Sequence, residues 1–186
     1  MSRSTTSSRS ARPRKSVAID PWKLIEAAED FAKAKGGKGR PRAIWLRRAV
    51  STAYYALYHA FSRGVAEQLL PGGSSDDQLR LTRPFRHGGF KGICGHIASR
   101  GGGGKSVKHL EPMVERLRKT ELLDVAEVFF DLQEARHQAD YDHLEAFSKQ
   151  GTLGLVRVAK KALQTLESAQ VEDREVFFAL LAKSDR

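Results

Sequence analysis

The chain has 186 residues and a formal net charge of +10, a length that predicts one domain with appendages around a sizeable core. The single cysteine, Cys94, excludes an internal disulfide and fits a reducing, cytoplasmic setting. No apolar run approaches the roughly 20 residues that a bilayer-spanning helix needs, so we expect no membrane segment.

The positive charge is concentrated at the start of the chain. Residues 1–48 carry 13 Lys+Arg and 4 Asp+Glu, which leaves 19 and 18 for the remainder. Residues 1–18 are predicted to form a disordered basic arm. They superficially resemble an organelle transit peptide, but they have no apolar helical face. Two interpretations of the charge stay open: a solubility tail with a solvated helix face, or attraction to a polyanion such as nucleic acid.

Residues 19–186 are predicted to form one helical domain. Apolar positions recur at helical spacing, and no segment keeps the period-two alternation of a strand. Asp20 followed by Pro21 is typical of a helix start. We therefore predict an all-α, up-and-down bundle of about five main helices plus short extra helices. The predicted helices span residues 20–35, 41–70, 79–99 (interrupted at Gly88-Gly89), 106–118 (bent or starting late at Pro112), 122–141, 153–168 (after a break at Gly151) and 172–183.

The second of these helices begins with Arg47 and Arg48, which are candidate RNA contacts. Small residues at 49, 53, 56 and 60 would let another helix approach closely. Polar side chains follow at helical spacing, namely Ser51, Tyr54, Tyr55, Tyr58 and His59. Because Tyr and His can bury a ring while they satisfy a polar tip, this seam indicates either internal hydrogen bonding in the core or the wall of an active groove.

A strongly basic segment lies near the middle of the chain. From Gln78 to Leu110 there are seven Lys+Arg and no acid, and Phe85 and Phe90 stand among the charges. Exposed rings between cations are typical of single-stranded nucleic-acid binding. The alternative is that both rings belong to the core. The candidate RNA contacts of this segment are Arg83, Arg86, His87 and Lys91.

Arg136 and His143 are the candidate catalytic pair. Seven residues are almost two helical turns, so both side chains share a face if the helix persists. An arginine keeps its charge beside a phosphate, and a histidine exchanges protons near neutrality. Asp140 can orient either group, whereas His137, about 100° around the helix, should face elsewhere. The alternative is a solvated helix end with an Arg–Asp pair.

Two other motifs are weak. Gly101 to Ser106 resembles the end of a phosphate-binding loop, but Ser99 stands where the pattern needs its first glycine, so a flexible linker is predicted. The histidines are too scattered, and Cys94 too isolated, to define a metal site. We therefore expect neither a metal nor a cofactor.

Three segments together resemble HEPN-domain proteins over roughly residues 20–170. Residues 49–59 read Ala-Val-Ser-Thr-Ala-Tyr-Tyr-Ala-Leu-Tyr-His, similar to the family's Ser-x-Ala-Tyr-Tyr-Ala helix. Residues 136–143 read Arg-His-Gln-Ala-Asp-Tyr-Asp-His, similar to its Arg-x(4–6)-His signature in the Arg-x-x-Ala-Asp-Tyr variant. Residues 85–88, Phe-Arg-His-Gly, resemble a histidine-bearing helix that often lies between the two.

The resemblance implies a helical bundle, commonly a homodimer with two signatures facing one cleft, and metal-independent RNA cleavage in active members of prokaryotic toxin–antitoxin and anti-phage systems. Arg136 would hold the phosphate and His143 would act as acid or base while the ribose 2′-hydroxyl attacks, leaving a 2′,3′-cyclic phosphate. Glu145 stands where one subgroup carries a tyrosine that its antitoxin modifies. Because other members only bind, the second hypothesis is a non-catalytic RNA- or partner-binding subunit. The expected partners are RNA, a second copy, and an antitoxin or another defence subunit.

Overall fold

The structure, a computed structural model, describes residues 19–35, 42–82, 85, 87–101 and 109–183. These ranges contain eight α-helices and no strand, which confirms the all-α prediction. None of the described helices has the length and apolar character needed to span a membrane. The helices are α1 Pro21–Lys33, α2 Ala43–Leu69, α3 Ser75–Thr82, α4 His87–Ile97, α5 Glu111–Leu117, α6 Leu122–Tyr141, α7 Lys149–Ser168 and α8 Val171–Leu181.

Side-chain caps set the starts of two helices. Asp20 accepts a hydrogen bond of 2.9 Å from the backbone nitrogen of Trp22, and Pro21 is the first residue of α1, as predicted. Ser148 caps α7 in the same way by accepting from the backbone nitrogen of Gly151 at 3.0 Å. Gly151 therefore lies in the first turn of α7, and the prediction that it separates two helices is wrong.

The middle of the chain also differs from the prediction. Instead of one helix broken at Gly88-Gly89, α3 ends at Thr82 and α4 begins at His87, so both glycines lie within α4. Burial of Phe90 in the core offsets the low helix propensity of the two glycines. The late start predicted at Pro112 is confirmed, since α5 begins one residue before it.

Helix α2 is the centre of the fold and packs against α1, α6 and α7. Its small residues Ala49, Ala53, Ala56 and Ala60 are all buried, which lets the neighbouring helices approach closely. Toward the C-terminal end of α2, a ring cluster fills the core. Phe61 stacks on Phe129 at 4.6 Å between ring centroids and meets Phe177 edge-on at 5.2 Å.

The two rings of the basic segment belong to this core. Phe90 is fully buried, and Phe85 is half-buried against it at 5.6 Å. The hydroxyl of Tyr58 donates to the carbonyl oxygen of Phe85 at 2.7 Å, which ties this segment to α2. The two rings are therefore packed inside the fold, and the interpretation as exposed stacking rings for nucleic acid is wrong.

Candidate functional site

The candidate site lies where the first half of α2 crosses the last turns of α6. Tyr55 pairs with Arg136, and Ser51 pairs with Asp140. The residue numbers rise along one helix as they fall along the other, so the two helices are antiparallel. Each helix contributes two side chains four residues apart, which places them one turn above each other on the facing surfaces.

Four side chains form a connected polar group, which we call the Arg136 network: Ser51, Tyr55, Arg136 and Asp140. Nη2 of Arg136 donates to the Tyr55 hydroxyl oxygen at 3.1 Å. Nε of Arg136 lies 2.7 Å from Oδ2 of Asp140, an ion pair without hydrogen-bond alignment. Oγ of Ser51 donates to Oδ1 of the same carboxylate at 2.6 Å. The contact between Arg136 and Asp140 that the four-residue spacing predicts is therefore present.

Arg136 is held as a permanent cation. Its side chain is only 19% exposed, and its guanidinium lies 5.8 Å from the ring centroid of Tyr55 and 5.6 Å from that of Tyr141. Burial acts to lower the pKa of Arg136, but the hydrogen bond with Tyr55 and the negative charges that Tyr55, Asp140 and Tyr141 can carry outweigh it and raise that pKa. The charge therefore does not change over any working pH.

His143 is not on the helix that carries Arg136. Helix α6 ends at Tyr141, Asp142 is its C-terminal cap, and the carboxylate of Asp142 accepts from the backbone nitrogen of Leu144 at 2.9 Å. The expectation that the helix persists and places His143 on the same face as Arg136 is therefore wrong. His143 is exposed in the segment that follows and makes no hydrogen bond to the part of the chain that the structure describes.

His137 also lies at this end of α6, one residue after Arg136. Its exposed ring packs against the ring of Tyr141 at 5.0 Å, and the same tyrosine covers the Arg136 guanidinium. Two histidines therefore flank this end of α6: His137 on the helix and His143 beyond it. Both side chains are exposed.

Arg47, a candidate RNA contact in the sequence, binds backbone carbonyls of the protein itself. Its guanidinium donates to the carbonyl oxygens of Gln138 at 3.2 Å, Ala139 at 2.9 Å and Glu145 at 2.6 Å, and it lies 5.7 Å from the ring centroid of Phe147. These bonds satisfy carbonyls in the last turn of α6 and anchor the segment that carries His143. The adjacent Arg48 is exposed.

Lys91, another predicted RNA contact, does not join this site. Lys91 forms an ion pair with Glu134 and lies 5.0 Å from the ring centroid of Phe130, on the α4–α6 surface. Arg83 and Arg86 lie outside the described residues, as does the side chain of His87. Residues 102–108, most of the loop that resembles a phosphate-binding motif, lie outside them as well. In the described ranges no group of three or more His, Cys, Asp or Glu could hold a metal ion.

Two exposed apolar residues at the site were missed from the sequence. Tyr141 is 61% exposed and Leu144 is 95% exposed. Tyr141 is the last residue of α6, and Leu144 lies in the segment that Arg47 anchors. In the sequence, Tyr141 is the tyrosine of the Arg-x-x-Ala-Asp-Tyr signature, whereas Leu144 belongs to none of the quoted motifs.

Comparisons with known proteins add no family assignment. No family model matches the chain, and no match was found among curated proteins or among solved structures.

Proposed function

We propose that the protein is a metal-independent endoribonuclease of a prokaryotic toxin or anti-phage defence system, built on an HEPN-like bundle. One observation carries the proposal. The two segments that resemble the family's motifs are far apart in the sequence, yet Ser51 and Tyr55 of the first contact Asp140 and Arg136 of the second. A shared polar network between two such motifs is what a common active site needs.

Arg136 supplies the fixed charge of the proposed reaction. Both N–H groups of Nη1 and one of Nη2 have no acceptor in the described part of the chain, so the guanidinium can still donate hydrogen bonds to a phosphate. During attack by the ribose 2′-oxygen, negative charge develops on the non-bridging oxygens, and a preorganised guanidinium stabilises that charge. Asp140 orients Arg136 and need not touch the RNA.

His143 is the proposed proton carrier. A neutral imidazole takes the proton of the 2′-hydroxyl as the 2′-oxygen bonds to phosphorus, and an imidazolium gives a proton to the 5′-oxygen as its bond to phosphorus breaks. The products are a 2′,3′-cyclic phosphate and a 5′-hydroxyl. The two roles need two imidazoles at one phosphate, and a second copy of the chain would supply the other.

Exposed apolar residues at this end of α6 support such a dimer. Tyr141 and Leu144 would lose contact with water if two copies met around a twofold axis at this end of α6. Both signatures would then line one cleft. An antitoxin or another subunit of the defence system would have to cover the same cleft to restrain the enzyme.

A non-catalytic RNA- or partner-binding subunit is the second candidate. It is favoured by the fact that Arg136 is already engaged by Asp140 and Tyr55, while Arg47 and Lys91 make intramolecular contacts. The basic residues 1–48 would then supply most of the affinity for a polyanion.

Cleavage of structured and unstructured RNA in excess chelator tests the proposal. We expect the full chain to cleave, and Arg136→Ala and His143→Ala each to lose about 10²–10⁴-fold in rate. Arg157→Ala and His109→Ala are matched controls, since both residues are exposed and outside the Arg136 network. RNA binding without cleavage, weakened by deletion of residues 1–18, would support the binding subunit instead. Cleavage that survives both site substitutions would refute the assignment of Arg136 and His143.

A further inference from the structure

We infer that Tyr55 is a positioning residue for the proposed reaction, acting through Arg136 and not on the RNA itself; this inference rests on the proposed function. The guanidinium of Arg136 has three nitrogens, and the protein contacts two of them. Asp140 approaches Nε, and the Tyr55 hydroxyl accepts from Nη2. The two contacts come from different helices, so the plane of the guanidinium is set by both.

The ring of Tyr55 adds a second restraint to that of its hydroxyl. Its centroid lies 5.8 Å from Cζ of Arg136, while the ring of Tyr141 lies 5.6 Å from the same atom. Two rings this close to the guanidinium favour its charged form and limit its side-chain rotamers. The ring of Tyr55 is itself fixed, since it packs edge-on against Tyr54 at 5.4 Å and against Tyr58 at 6.4 Å.

Ser51 extends the same restraint to the carboxylate. Its hydroxyl donates to Oδ1 of Asp140 at 2.6 Å and leaves Oδ2 for Arg136. One turn of α2 therefore positions both members of the pair on α6, Arg136 directly and its counter-ion by way of Ser51. The protein therefore fixes the orientation of the N–H groups of Nη1 before any RNA is bound. Stabilisation of a transition state requires this kind of preorganisation.

The test compares two tyrosines of the same helix. Tyr55→Phe removes the hydroxyl that accepts from Arg136, and Tyr58→Phe removes one that donates to a backbone carbonyl of residue 85. We expect Tyr55→Phe to lower kcat about 10-fold with KM changed less than about twofold. A misaligned guanidinium loses more binding energy to the transition state than to the RNA in the enzyme–substrate complex. Tyr58→Phe should leave both constants within about twofold of wild type, whatever it does to thermal stability.

A double-mutant cycle separates positioning from a general effect on the fold. In the Arg136→Ala background Tyr55→Phe should cause no further loss of rate, since the residue through which it acts is gone. An equal loss in both backgrounds would overturn the inference. Equal behaviour of Tyr55→Phe and Tyr58→Phe would overturn it as well, while leaving the ribonuclease intact. A wild-type chain that does not cleave RNA would instead overturn the proposed function, and the positioning role with it.

Discussion

The two ends of the α2–α6 contact have opposite chemistry. Toward the C-terminal end of α2 the contact is apolar, with Phe61 against Phe129 and Phe177 completing the cluster. Toward its N-terminal end the same two helices meet through Tyr55 and Arg136 and the other members of the Arg136 network. The helices and their antiparallel arrangement are shared, so the difference comes from the side chains alone.

The apolar end of the contact stabilises the fold, and the polar end positions the side chains of the candidate site. Burial of a Phe side chain contributes about 1.5–3 kcal/mol, whereas a hydrogen bond in a folded protein adds a net of about 0.5–1.5 kcal/mol. The polar end therefore contributes less stability for the same length of helix contact. In return it holds a guanidinium in one orientation, which an apolar contact cannot do.

The largest expected effect is at the apolar end. Phe129→Ala should lower the free energy of unfolding by about 3–5 kcal/mol, because it leaves a cavity beside Phe61 and Phe90. Asp140→Asn at the polar end should cost about 1–3 kcal/mol, since it removes the counter-ion of Arg136 but keeps the shape. Urea denaturation of both variants measures the difference, and equal losses would show that the two ends contribute equally to stability.

The same Asp140→Asn variant distinguishes stability from function at the polar end. We expect it to lower turnover on RNA more than it lowers RNA affinity, because Asp140 orients Arg136 and need not contact the substrate. Equal loss of turnover and affinity would count against an orienting role.

A second prediction concerns close packing at the apolar end. A Cβ added at Gly64 would overlap the ring of Phe178, so Gly64→Ala should destabilise the fold by about 1–3 kcal/mol through overpacking. Gly154→Ala is the control, because an added Cβ there meets nothing within 4 Å and should stabilise α7 by up to about 1 kcal/mol. Thermal unfolding of the two variants should shift in opposite directions, and a shift of the same sign would contradict this packing.

Local signals in the sequence predicted most helices but not all of their limits. Asp20-Pro21 correctly predicted the start of α1, and helical periodicity correctly predicted α2 and α6. The helix limits predicted from glycines were wrong at two places. Gly88 and Gly89 lie in α4, whose buried face offsets their low helix propensity. Gly151 lies in the first turn of α7, where its backbone N–H donates to the capping hydroxyl of Ser148. Tertiary burial and capping by a neighbour are not visible in residue propensity alone.

The candidate site was predictable only where its geometry is local. The Arg136–Asp140 contact follows from a four-residue spacing on one helix. The contact between Arg136 and Tyr55 joins residues 81 positions apart, and their pairing depends on the axial register in which α2 and α6 pack. His143 could share the face of Arg136 only if the helix continued past Tyr141, but Asp142 caps the helix there and the chain turns.

A third prediction tests whether Arg47 belongs to the fold and Arg48 to the surface. Arg47→Ala should cost about 1–3 kcal/mol, because the carbonyls at the end of α6 lose their donor, and amide hydrogen exchange should rise over residues 142–148. Arg48→Ala should change stability by less than about 0.5 kcal/mol, since that side chain is exposed. Similar hydrogen exchange in the two variants would show that Arg47 does not anchor this segment.

The smallest effect concerns a polar contact outside the α2–α6 pair, between α1 and α7. The carboxylate of Glu29 accepts from Lys160 at 2.9 Å and from Lys33 at 3.1 Å, and these bonds hold its pKa below the ordinary value. A carboxyl whose pKa is lowered in the folded state adds stability above its unfolded pKa, and that stability is lost as the pH falls through the folded pKa. Glu29→Gln should therefore cost about 0.5–1 kcal/mol at neutral pH and nothing in strong acid.

Glu26 provides the matched control for this contact, because among the described residues its carboxylate pairs with Lys23 alone, on the same exposed face of α1. Glu26→Gln should cost less than Glu29→Gln at neutral pH, since a fully exposed ion pair within one helix contributes little to stability. Urea denaturation of both variants across the acid range gives the two curves. If the stability lost in Glu29→Gln does not shrink with falling pH, the bond to Lys160 contributes no stability.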